Sequence, residues 1–317
     1  MAAAFGWRPR TLALLLALVA AAGCGTSATA TGPDPRLPAA ASVRPSSTSH
    51  VVTIVMENKE ARSVLGRPGM PYVKRLVRRY GLATASYAVT HPSLPNYLAL
   101  VGGSTFGITS DCTSCHRAAT TIVDQLQARR ISWRAYMEGI PRPCFKGASS
   151  GQGYAKKHDP FLYFDSIAGR RASCRNVVPL ARLGAALRRG RLPTYAWITP
   201  NLCDDTHDCS RATGDRFLAR VVPSLLRALG PHGFLVLTWD EGSSDAACCG
   251  DPHGGGQIAT VVAGPGVRRG ARLAQPVDHY GVLATEERAL GLPPLRAAAD
   301  PQHGRLDALF TRPPRVR

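Results

Sequence analysis

VVTIVMEN, residues 51–58, is the stretch on which the fold turns. Six consecutive apolar and β-branched residues read as a strand buried on both faces, a run too short for a core helix. The run ends abruptly in two oxygen-bearing side chains, Glu57 and Asn58. FLVLTWDEG, residues 234–242, repeats the device, with Asp240 and Glu241 after its apolar run. Further strands are expected over Ser132–Tyr136, Thr194–Ile198 and Ile258–Ala263. Helical spacing marks Tyr72–Arg79, Leu98–Val101, Thr121–Ala128, Val178–Arg188, Gly214–Leu229 and His279–Leu290. Helices alternating with short apolar strands define an α/β fold with a mostly parallel central sheet.

Polar residues at the carboxyl ends of neighbouring parallel strands share one crevice. Glu57, Asn58, Asp240 and Glu241 therefore form a candidate oxygen-ligand set for a divalent ion such as Ca²⁺, Mg²⁺, Mn²⁺ or Zn²⁺. THPSLPNY (90–97) offers Ser93, set between prolines at the expected start of a helix, where amides favour phosphate. A serine hydroxyl needs a base or a metal to act as nucleophile. PNLCDDTHD (200–208) adds Asp205, His207 and Asp208, and the glycine-rich DPHGGG (251–256) adds His253. These are expected to hold a second cation, to contact phosphate, or to protonate a leaving oxygen. Gly254–Gly256 is read as the tight passage that brings His253 to the crevice. Asp278 and His279 read as a helix cap and a core-edge contact. The chain has no Gly-x-x-x-x-Gly-Lys-[Ser/Thr] loop of the nucleotide triphosphatases.

The first 23 residues have a basic start (Arg8, Arg10) and a short leucine- and alanine-rich run, which is a signal peptide pattern. Small residues before Cys24 resemble a lipoprotein box, which implies a lipidated Cys24; plain secretion is the alternative. Either places the protein outside the cytoplasm. Residues 24–49 are rich in Ser, Thr, Pro and Ala and read as a disordered tether. Residues 50–295 form the expected catalytic domain, and 296–317 a flexible tail. Eight cysteines follow Cys24, as suits disulfides in an exported chain. Cys112–Cys115 and Cys203–Cys209 are the local candidates, while adjacent Cys248 and Cys249 are expected to pair elsewhere. The formal charge is +18. The arginines are scattered and no aromatic-interleaved basic stripe appears. Anionic headgroups or phosphorylated substrates are therefore preferred to a specific nucleic acid partner. A monomer is expected.

Five pieces in order resemble a known family: Met56-Glu57-Asn58, His91 to Tyr97, Pro200-Asn201 through Cys209, Trp239 to Gly242, and Asp278-His279-Tyr280. The family is the bacterial phosphoesterases of the secreted acid phosphatase and phospholipase C type, within the alkaline phosphatase superfamily. The resemblance implies a three-layer sandwich with the site at the strand carboxyl ends. It implies a divalent metal on Glu57, Asn58, Asp240 and Glu241, a second metal in some relatives, and Ser93 as a nucleophile that becomes phosphorylated. It also implies that Asn96 contacts substrate phosphate, and that His207 and His253 act as ligands or phosphate contacts. Glu57-Asn58 stands where two-zinc members carry an aspartate. The chain is compact, and it resembles actinobacterial acid phosphatases acting on phosphoinositides. The expected function is therefore an exported phosphomonoesterase acting on a phosphorylated small molecule or phosphoinositide. The alternatives are a phospholipase C-type phosphodiesterase and a non-enzymatic lipoprotein that binds phosphorylated ligands.

Overall fold

The computed structural model describes residues 1–3, 37, 39–251 and 253–316. β1 (Val51–Met56) is followed by α1 (Ala61–Leu65), α2 (Pro71–Arg79) and β2 (Gly81–Tyr87). α3 (Ser93–Gly102) and α4 (Ile122–Ala128) lead to β3 (Trp133–Met137). Next come α5 (Asp165–Ala168), α6 (Arg171–Cys174), β4 (Val177–Pro179), α7 (Ala181–Arg188) and β5 (Tyr195–Thr199). α8 (Arg211–Ala228), β6 (Phe234–Trp239), β7 (Gln257–Ala263), β8 (Arg272–Leu273) and α9 (His279–Leu290) complete the order.

The strands form one sheet in the order β4-β3-β5-β1-β6-β7-β2-β8. All neighbours run parallel except β7, which is antiparallel to both β6 and β2. Every residue of β1 and β6 is buried, because helices cover both faces of these central strands. Tyr97, Leu98 and Leu283, from α3 and α9, fill one face of the sheet. Val73, Leu218 and Val221, from α2 and α8, fill the other. The result is the expected three-layer α/β sandwich. Met56 pairs with Trp239, and Asp240 N donates to Met56 O at 2.9 Å, so the residues after β1 and β6 emerge side by side.

Several sequence expectations need correction. Gly81–Tyr87 is a strand not among those expected from the sequence, and Val177–Pro179, at the start of the expected helix Val178–Arg188, is a short edge strand ahead of a helix that starts at Ala181. The expected flexible tail packs instead. Leu306, Leu309 and Phe310 are buried in the core, and Val316 N donates to Ala289 O. Part of the expected tether is also seated. Val43 is buried, Arg227 Nε donates to its carbonyl, and Ser49 Oγ accepts from His232 N. Buried apolar side chains, together with these hydrogen bonds, anchor segments whose composition reads as unstructured. Cys24 and all but the first three residues of the expected signal peptide lie outside the described residues. No helix among the described residues is long and apolar enough to cross a membrane.

The disulfides are Cys112–Cys115, Cys144–Cys174, Cys203–Cys209 and Cys248–Cys249. Both local pairs are as expected. Cys248 and Cys249 pair with each other, against expectation, and their loop provides no other cysteine. Cys144–Cys174 ties the irregular segment 139–174 into a closed excursion over the carboxyl end of the sheet.

Candidate active site and metal centre

Ser93 is the first residue of α3, and its side chain is buried. Its Oγ donates to Glu57 Oε2 at 3.2 Å and lies 3.5 Å from Glu241 Oε1. Asp240 Oδ1 accepts from Asn58 N at 3.0 Å. With its nitrogen turned towards them, the Asn58 amide donates to Asp240 Oδ1 at 3.2 Å and Glu57 Oε2 at 2.7 Å. The four expected oxygen ligands and the expected nucleophile therefore converge. Asn58 makes the turn off β1 with a positive φ of 47°, a conformation Asn tolerates better than most residues.

Glu57, Asp240 and Glu241 are enclosed together. Burial, followed by the charges of Asp240 and Asp205, raises Glu57 well above the usual carboxylate range. Burial also raises Asp240. Burial and the Asp240 charge bring Glu241 to about 7. Glu241 Oε2 is bonded to His91 Nδ1 at 2.6 Å, and His91 Nε2 lies 3.1 Å from Ser244 O, so the imidazole ties the carboxylate to the next loop.

A second set of groups meets Glu57 from the other side. His158, in the excursion 139–174, is buried with Nε2 3.4 Å from Glu57 Oε1 and Nδ1 3.4 Å from Asp205 Oδ2. Burial, then the nearby Lys157 and His207, pushes the His158 pKa well below its ordinary value and keeps the ring neutral. Its ring stacks on Tyr97 at 5.4 Å, and the Tyr97 hydroxyl donates to Glu57 Oε1. His158 Nε2 and Asp205 Oδ2 have no hydrogen-bond partner although buried. Ligand atoms of Glu57, His158 and His207 lie within 4.8 Å of one another. Acceptors that face one another, buried and unpaired, are the chemistry a divalent cation satisfies. Both the oxygen set and the Glu57–His158–His207 set fit a metal by that criterion, with Glu57 shared between them.

Above Ser93 sits a polar pair the sequence did not single out. Asp111 Oδ1 accepts from Leu94 N at 3.0 Å, and its Oδ2 is bonded to Lys157 Nζ at 2.9 Å. A carboxylate thus occupies the first-turn amide of α3 that was expected to receive a phosphoryl oxygen. Burial acts to lower the Lys157 pKa, and Asp111 outweighs it, so the ammonium stays charged. Lys157 Nζ lies 3.5 Å from His207 Nε2, and Asp208 Oδ1 holds His207 Nδ1 at 2.6 Å.

Three residues are placed differently from expectation. Asn96 is fully buried and spent on backbone: Oδ1 accepts from Val89 N and Thr90 N, and Nδ2 donates to Thr90 O and Pro92 O. It fixes the turn that delivers Ser93 and has no donor left for phosphate. Asn96→Ala is expected to lower the unfolding free energy by about 2–4 kcal/mol, since two buried amides lose their acceptor. Chemical denaturation measures it, and an unchanged midpoint would contradict the assignment. Asp208 is mostly exposed and orients His207 rather than meeting a ligand. His253 is exposed and makes no hydrogen bond to the cluster among the described residues. The glycines before β7 are a tight passage, as read. A Cβ on Gly255 would lie 2.4 Å from Thr90 O and one on Gly256 2.7 Å from Glu60 Oε1, so they press the loop onto the Ser93 turn rather than carry His253 inward. Asp278 caps α9 as expected, accepting from Tyr280 N and Gly281 N.

His158, Lys157 and Asp111 were missed. A signal existed for the first two: Lys-Lys-His-Asp (156–159) is a polar knot directly before the aromatic Pro-Phe-Leu-Tyr-Phe run. For Asp111 nothing in the local sequence distinguishes it from a surface carboxylate.

A hydrolase site at the carboxyl ends of a mixed sheet defines the class, and sequence comparison agrees. The model of the phosphoesterase family matches residues 56–293, and the chain belongs to that family. It is 31% identical over 280 residues to "Phosphatidylinositol-3-phosphatase" of Mycobacterium tuberculosis, covering 88% of each chain. It is 31% identical over 292 residues to an "Acid phosphatase" of Aspergillus fumigatus, covering 84% of this chain and 63% of that one. Among solved structures, a protein of the alkaline phosphatase superfamily from Vibrio parahaemolyticus superposes with a TM-score of 0.51. That match has 12% identity and covers 82% of this chain and 72% of the other. The lipoteichoic acid synthase of Listeria monocytogenes gives 0.53 at 10% identity, covering 84% and 76%. These two similarities concern the fold. The protein is a phosphoesterase-family hydrolase related to acid and phosphoinositide phosphatases, with residue clusters able to hold a divalent metal.

Proposed function

We propose that the protein is a metal-dependent phosphomonoesterase in which Ser93 Oγ takes the phosphoryl group and water then releases it. The observation that carries this reading is the position of Ser93, at a helix start and within 3.5 Å of both Glu57 and Glu241. Glu57, Asn58, Asp240 and Glu241 would hold the metal, and His158, His207 and Asp205 offer donors for a second. When bound, such an ion supplies positive charge that makes a serine hydroxyl easier to ionise and offsets phosphoryl charge. The chain's own residues supply the rest. Glu57 and Glu241 fix the Oγ, and Tyr97 fixes Glu57. Lys157 presents a cation to the substrate phosphoryl oxygens, which compete with Asp111 for it. Where no second ion takes its Nε2, His207, oriented by Asp208 through Nδ1, would protonate the leaving oxygen.

The substrate class is a phosphate monoester on a small anionic molecule or a phosphoinositide. The mycobacterial relative's name favours the latter. The protein acts outside the cytoplasm, anchored through Cys24 or secreted. The deciding experiment compares a chromogenic phosphomonoester with the matching bis-phosphodiester, before and after chelation and metal replacement. Metal-dependent turnover that favours the monoester supports the reading. Preference for the diester moves it to a phosphodiesterase, and no turnover with any metal moves it to a binding role. Lys157→Met is expected to lower kcat/KM for the monoester roughly 10–100-fold, the worth of one charge-assisted contact, chiefly through KM. Lys157→Arg should recover part of it. Unchanged steady-state constants in Lys157→Met would remove this residue from the site.

A further inference from the structure

The charge of this chain is divided between its two ends. No Asp or Glu occurs in residues 61–110, 216–239 or 252–277, the stretches that contain α2, most of α8, and the turn between β7 and β8. The end of α2, the end of α8 and the turn after β7, all within these stretches, meet at the amino end of β1 and β6. The backbone of Gly264 packs on Gly233 and Phe234, at the start of β6, and Tyr80 leads into β2. The site carboxylates lie at the other end of the same strands, and β1 alone, six residues long, separates the two poles by roughly 20 Å.

At the amino pole an open cleft of about 720 Å³ is lined by Arg75, Arg78, Arg79 and Arg269 above a floor that includes Leu226 and Val267. All four arginines are exposed and have no acidic partner among the described residues. Arg75 and Arg79 lie over the rings of Tyr72 and Tyr80, at 5.3 and 5.4 Å, which leaves those ring faces covered. A second cleft continues from it, lined by Ala40 and Arg227 among others, and the chain enters the domain there through Val43.

We propose that this pole docks on an anionic phospholipid bilayer. Four unneutralised guanidinium groups around an apolar floor match headgroup phosphates with glycerol and upper acyl carbon beneath them. Base stacking is disfavoured because arginines already cover the two tyrosines, so a nucleic acid is the poorer match. Docked in this way, the protein directs Ser93 away from the bilayer that holds it. Substrates then arrive from the medium or from an opposing surface rather than from the docked leaflet.

The test is co-sedimentation of the full chain with phosphatidylcholine vesicles and with vesicles that also contain phosphatidylglycerol. Any lipid anchor acts on both kinds, so their difference reports this face. The expected excess on anionic vesicles is about tenfold or more at low salt, and it collapses by roughly 0.5 M salt. Combined Arg75→Gln, Arg78→Gln, Arg79→Gln and Arg269→Gln should remove most of the excess. Hydrolysis of a soluble phosphomonoester and the melting temperature should stay unchanged, since all four side chains are exposed and remote from Ser93. Equal binding to both vesicles, or an excess that survives the four substitutions, overturns the proposal. So does tighter binding of a single-stranded RNA that the same substitutions abolish, which would assign the pole to nucleic acid.

Discussion

Ser93→Ala is expected to lower kcat for a phosphomonoester by roughly 10⁴-fold or more, the scale on which a removed nucleophile acts. The fold should hardly notice. The Oγ is buried and its bonds go to the site carboxylates Glu57, Glu241 and Asp240, so its loss costs on the order of 1 kcal/mol in hydrogen bonding. The substitution leaves Glu57, Asn58, Asp240 and Glu241 untouched, so bound metal, measured by elemental analysis, should stay near the wild-type ratio. That readout separates a missing nucleophile from a missing ion. Acid-quenched wild-type enzyme should carry phosphate on the peptide containing Ser93, and the variant should not. Near-normal turnover in the alanine protein would end the phosphoserine mechanism. Lost turnover together with lost metal would instead make Ser93 a ligand.

The two strands that frame this site were legible because both are uninterrupted apolar runs with abrupt polar ends, and their bounds coincide with the structure. The oxygen set followed from them, since parallel neighbours must end side by side. GLATASY (81–87) was not legible: small and polar residues pack there because β7 and β8 flank it, a tertiary circumstance. VVP (177–179) merges with the following helical pattern, and a three-residue strand has no periodicity of its own. His158 was hidden for a different reason. Its segment has no repeating pattern, and it reaches Glu57 by looping over the end of the sheet under the Cys144–Cys174 tie. Asn96 shows the opposite hazard. It belongs to the motif and was expected to touch phosphate, yet its amide does backbone work that builds the turn beneath Ser93.

Removing the divalent ion is expected to lower the melting temperature strongly at pH 8 and little near pH 5. Without the ion, Glu57, Asp240 and Glu241 all titrate above their ordinary range, chiefly through burial. A carboxyl raised by folding stabilises fully below its unfolded value and loses that contribution as pH rises through the folded one. For Glu241 the window runs from about 4.5 to about 7. Over the same window protons leave the oxygens that a cation needs, so ion binding strengthens as the ion-free fold weakens. At a free-ion concentration near a thousand times Kd the gain is about 4 kcal/mol. For a domain of this size that is roughly 8–15 °C in Tm. Glu286 at about 7, Glu287 at about 8 and Asp159 at about 7 also make the fold pH-sensitive. They are present with and without the ion, so the difference between the two melting curves cancels them. Asp240→Asn supplies the check on assignment, because it relieves one buried charge while removing one ligand. Its ion-free Tm at pH 8 should exceed that of the ion-free wild type, and added ion should raise it far less. A melting increment from the ion that is equal at pH 5 and pH 8, or that survives in Asp240→Asn, would place the ion elsewhere.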